Sequence, residues 1–166
     1  MKTWDIVFLG LNILVTIVSI VGAVKSIRYF KKSKHITIYA QTNQSFNELE
    51  EMLRKLPEAL AAASRTGKGY SPENAVQETG TAMANHYSTI MKAIPTGYFN
   101  EFCALQKTNT SDVEQYINSL IDGTAIIESD GRKMLGRDSF DKCQEQLRAM
   151  QEFLKKKISD EEEKLK

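Results

Sequence analysis

Cysteine is scarce in this chain: only Cys103 and Cys143 are present, far apart and with no Cys or His at ligand spacing. That excludes a disulfide framework and a zinc site as organising devices, and it fits a reducing compartment. Proline (3) and glycine (9) are few among 166 residues, so little interrupts long helices. An excess of one charge is also missing. With 22 basic against 21 acidic residues the net charge is +1, so only local clusters can argue for nucleic acid or an acidic partner. There is no tandem repeat and no low-complexity tract.

Catalytic groupings are lacking too. The two histidines, His35 and His86, have no Cys, Asp or second His at triad or metal spacing. Both read as structural residues, and no metal, cofactor or enzymatic activity is expected. The loop Ser64-Arg65-Thr66-Gly67-Lys68-Gly69 resembles part of a phosphate-binding loop, but Ala62 stands where the first glycine of that motif would be and no strand precedes it. This argues against an NTPase.

What the chain does contain is one long uncharged run, Ile6 to Val24. As a helix it measures roughly 28 Å, close to the hydrocarbon thickness of a bilayer. Lys2 and Asp5 nearly cancel before it, whereas Lys25, Arg28, Lys31, Lys32 and Lys34 crowd after it. The positive-inside rule then puts the N-terminus outside and the rest of the chain in the cytoplasm, as a single-pass protein of the inner cell membrane. Trp4 on one flank and Tyr29 and Phe30 on the other suit the interfacial belts. A secretory signal peptide is the competing reading, since Val21-Gly22-Ala23 has small or compact residues where a peptidase would cut. The weakly basic start, the long apolar run and the basic cluster behind it favour an uncleaved anchor.

The polar residues of this run share one stripe. Asp5, Asn12, Ser19 and Ser26 are seven apart and Leu9, Thr16 and Ala23 interleave with them, so at about 100° per residue all seven lie on one face. Exposed to lipid, an unpaired amide or hydroxyl costs on the order of kilocalories. Self-association of parallel helices hides the stripe, and the homo-oligomer is expected on that ground. Two forms of it remain open. In a dry bundle Asn12 and Thr16 bond between helices. In a ring of four or more copies Asp5, Leu9, Asn12, Thr16 and Ser19 line a water path, with Leu9 as a hydrophobic constriction. The confinement of the polar residues to one stripe favours the pore.

The fold class expected is all-α, with a transmembrane helix and its basic end over residues 1–34 and a cytosolic multi-helix domain over 35–166. Residues 35–40 read as a stalk continuing the membrane helix, although Ile36, Ile38 and Tyr39 would also suit a short strand. Helices are predicted over Ser45 to Ser64, kinked at Pro57, from Ser71-Pro72-Glu73 to before Pro95, over Gly97 to Lys107, and from the capping-box sequence Ser111-Asp112-Val113-Glu114 to Gly123 or Ile127. The last begins near Asp138, and its seam of Phe140, Cys143, Leu147, Met150, Leu154 and Ile158 reads as a core face in preference to a coiled coil. The charged end from Lys155 to Lys166 reads as solvated.

Two loops offer cations to an anion: Arg65 and Lys68 beside Gly67 and Gly69, and Arg132, Lys133 and Arg137 around Gly131 and Gly136. Tyr70 and Tyr98 could stack on bases, so an oligonucleotide or nucleotide is the expected ligand, set against the plainer reading of solvated loops. With its N-terminal span, its polar stripe and a helical domain carrying basic loops, the layout resembles the small single-span effectors of bacterial anti-phage defence, in particular the Hailong channel effectors. That resemblance implies a homotetrameric channel held shut by oligodeoxyadenylate and opened when that ligand is lost, with Asp5, Asn12, Thr16 and Ser19 along the path; a nucleotidyltransferase is the further partner expected if a ligand controls it. The resemblance assigns no ligand residue. The alternative is a non-conducting membrane-anchored adaptor.

Overall fold

The computed structural model describes residues 3–64, 71–106, 111–129 and 132–166, with backbone alone at 3–13, 106, 111, 128–129 and 132–133. Helix α1, Thr3–Ser64, is 62 residues long, about 93 Å at 1.5 Å per residue. The uncharged run, the stalk and the predicted helix from Ser45 are thus one element, and Pro57 lies inside it without ending it. The helix persists there because its flank is held by packing: Leu49, Met52, Leu56 and Ala59, at spacings of three and four, are all fully buried.

Helix α2, Pro72–Ala93, starts as its sequence dictates. Ser71 accepts a hydrogen bond from Asn74 N at 3.4 Å, and Pro72 occupies the first turn, where its missing N–H costs nothing. The helix stops before Pro95 and is followed by α3, Thr96–Gln106, and α4, Ser111–Ile121. Gly80 lets α2 and α4 meet closely: a Cβ there would lie 2.8 Å from Leu120 Cβ and 3.1 Å from Ile121 N.

After α4 the chain departs from an all-helical course. Gly123, at φ +79°, turns it out of the helix, and Asp122 Oδ1 accepts from Thr124 N at 3.0 Å and Thr124 Oγ1 at 2.6 Å. A two-stranded antiparallel hairpin follows, β1 (Ile126–Ser129) and β2 (Arg132–Leu135), in the register Ile126 to Leu135. The expected weak extension of the helix to Ile127 is therefore a strand. Ile126-Ile127 on one side of Asp130-Gly131 and Met134-Leu135 on the other is a hairpin signal that outweighs a frayed helix end.

Helix α5, Arg137–Leu165, closes the fold. It runs back along α1, so that Glu161 near its end meets His35. Phe140, Cys143, Leu147, Met150 and Leu154 are buried as one face, packed into the same core as α1, α2 and α4, which makes the seam a core face. The next fully buried position along the seam is Glu161, seven residues after Leu154 and 2% exposed, while Ile158 is only half-buried. Burial has also pushed the Cys143 thiol up to about 12. Among the described residues, five helices and one small hairpin thus form a helical body from which the N-terminal half of α1 projects.

Candidate functional site

From Leu14 to Lys34 every side chain of α1 is exposed. These include Leu14, Val15, Ile17, Val18, Ile20, Val21, Val24 and Ile27, between 46% and 62% accessible. Folded chains in water rarely leave so contiguous an apolar surface uncovered. Thr16 and Ser19 are exposed on this segment. Asp5, Leu9 and Asn12 belong to the same helix, and their side chains lie outside the described residues. Among the described residues no helix is long and apolar enough to cross a membrane.

Where the helix enters the body, three elements converge on one carboxylate. Glu161 of α5 accepts hydrogen bonds from His35 Nδ1 of α1 at 2.7 Å, from the Tyr98 hydroxyl of α3 at 2.6 Å and from Lys164 Nζ at 2.6 Å. Burial by itself would raise its pKa, but the donors from Lys164, Tyr98 and His35 together outweigh that and hold it at about 2. Saturated with donors, the carboxylate is a poor base and a strong fastener. Around it, Lys157 sits 5.0 Å over the Tyr98 ring and bonds Glu101 at 2.8 Å, and Tyr98 meets Phe153 edge to face at 6.5 Å. The other histidine is held alike, His86 Nδ1 lying 2.6 Å from Glu48.

The sequence pattern missed this junction because histidine and its carboxylate are 126 positions apart. The acidic tail that reads as solvated has one member, Glu161, taken into the core. Tyr98 is likewise no free stacking platform: its hydroxyl is engaged by Glu161 and its ring by Lys157 and Phe153.

The predicted anion-binding residues fall elsewhere. Arg65, Lys68 and Tyr70 lie outside the described residues. Arg132 and Lys133 are in β2, with Lys133 in register with Glu128, and their side chains are not described. Arg137 is exposed at the first position of α5. Since β2 leads directly into α5, these three share one end of the body, and α5 carries that end away from the His35 junction. A hollow of about 300 Å³ between α4 and α5 is lined by Asp112, Gln115, Tyr116, Ser119, Ser139 and Lys142. With one cation against one anion, it is no phosphate pocket.

Comparison of the chain with protein-family models, with curated proteins and with solved structures returns no match.

Proposed function

We propose that this chain is a homo-oligomeric membrane channel effector. Its N-terminal helices span the bilayer and ring a pore, and the cytosolic body controls that pore through a nucleotide or oligonucleotide ligand, in the manner of a defence effector. The observation that carries this reading is the exposed apolar half of α1, bounded by Lys25, Arg28, Lys31, Lys32 and Lys34. A bilayer covers such a surface, and the basic end stays with the body on the cytoplasmic side. The polar stripe of Asp5, Leu9, Asn12, Thr16 and Ser19 supplies a path, and Arg65 and Lys68, together with Arg132 and Lys133 of β2 and Arg137 at the start of α5, supply cations for phosphates. The carboxylate-centred junction at His35 supports transmission, since it ties the emerging helix to both α3 and α5.

Conductance of the reconstituted protein in planar bilayers tests the pore. Leu9→Ser hydrates the constriction and raises the ionic leak, while Thr16→Leu lowers it. Current at the lipid background for the wild type and both variants, with or without nucleotides, leaves the non-conducting adaptor as the function. Ligand control is tested separately. Replacing Arg132, Lys133 and Arg137 together weakens oligonucleotide binding, and the wild-type affinity falls with added salt; unchanged, salt-independent binding removes these residues from the site.

A further inference from the structure

We infer that the face by which the membrane helices assemble continues without a break onto the cytosolic half of α1, so that a second copy of this chain docks along the stalk as well as within the bilayer. This rests on the oligomeric reading above. The 3-4 spacing of the polar stripe, carried on from Ser26, passes through Phe30 and then Ser33, Thr37, Ala40, Gln44 and Asn47, and every one of these is exposed. The residues that α1 buries in its own body, Thr42, Ser45, Leu49, Met52, Leu56 and Ala59, follow the stripe alternately two positions and one position later. The two rows are centred about 150° apart around the helix, so the stripe lies on the side of α1 away from the body. Had the membrane stripe run into the body, a bundle formed in the bilayer would have to end at its surface. Instead the body leaves that face open from Thr16 to Glu58.

Charge placement points to the same occupant. From Ser26 to Asn47 the stripe itself carries no ionisable side chain; Lys25, Arg28, Lys31 and Lys32 fall more than a quarter-turn away from it, on the sides that would face lipid headgroups in a bundle, and Lys34, four residues after Phe30, lies at its edge. Small and uncharged polar residues allow close approach of parallel helices without burying unpaired charge. Beyond Asn47 the stripe reaches Glu51, Arg54 and Glu58, where Arg54 bridges both carboxylates, reaching Glu58 at 3.1 Å. In the assembly Thr37, Gln44 and Asn47 thus line a polar vestibule continuous with the membrane path.

The test is cysteine crosslinking of the full chain in membranes with a short bis-maleimide. Cys103→Ser serves as background, and Cys143, fully buried, is left in place. Thr37→Cys and Gln44→Cys give a severalfold excess of crosslinked oligomer over Arg28→Cys and Lys32→Cys, with Thr16→Cys as the reference within the bilayer. Crosslinking at Thr16 but not at Thr37 or Gln44 overturns the continuation and leaves membrane assembly standing. No crosslinking at any position overturns the oligomer itself. Equal crosslinking at all five overturns the assignment of the face. Crosslinking at Thr37 and Gln44 in a protein that conducts no current supports the interface and removes only the channel.

Discussion

The two halves of α1 are built on opposite patterns. From Ile6 to Val24 most faces are apolar and the polar residues form one narrow stripe; toward the C-terminus the apolar residues form the stripe and the other faces are polar or charged. Both patterns are helical and nothing in the backbone divides them, yet Val18 is 62% exposed and Leu56 is fully buried. Periodicity sets that a segment is a helix, whereas the proportion of apolar surface sets what must cover it. The distal half is covered by α2 and α5, whereas from Leu14 to Lys34 no described residue of the body covers the proximal half.

The largest expected effect comes from truncating the same chemistry in the two halves. Leu56→Ala destabilises the body by about 2–5 kcal/mol, read as a lower denaturation midpoint in detergent solution, because its cavity sits among fully buried neighbours. Val18→Ala leaves that midpoint unchanged. A comparable loss at Val18 would mean that this segment packs within the folded body.

The boundary between the halves should carry a pH signature. Glu161 has its pKa lowered from 4.5 to about 2, so its contribution to stability is complete above pH ~4.5. That contribution is lost as the pH falls from there toward 2, since the unfolded state takes up the proton first. The shift corresponds to at most about 3 kcal/mol. Urea titrations at pH 7 and pH 3 should show the wild type losing stability on acidification, and Glu161→Gln losing less from a lower starting value. An identical acid dependence in both proteins would show that the junction does not fasten α1 to α5.

A smaller contrast separates two glycines. Gly80→Ala forces a Cβ against Leu120 and the Ile121 backbone and costs about 1–3 kcal/mol, the usual range for overpacking. In the proximal half Gly22 has nothing within 4 Å of the added methyl, so Gly22→Ala leaves the unfolding of the body unaltered. If Gly22→Ala instead alters the crosslinking of assembled copies, the close approach it permits lies between subunits.

Much of the helical course is written locally. Ser71-Pro72 opens α2, Pro95 stands just after its end, and the row from Phe140 to Leu154 marks one face of α5, because capping, the missing proline N–H and the 3.6-residue period act over a few residues. The continuity of α1 through the stalk belongs to the same class. The hairpin was legible only in part: Asp130-Gly131 signals a turn, but strands of four residues each lie too close in composition to a frayed helix end. The junction was not legible. Nothing near His35, Tyr98 or Glu161 in the chain marks them as partners, since the energy that justifies burying Glu161 comes from donors on three separate elements. The stripe on α1 divides in the same way: its spacing and its lack of charge from Leu9 to Asn47 are properties of the sequence, whereas its lying on the side away from the body is decided by where α2 and α5 pack, through contacts between residues distant in the chain.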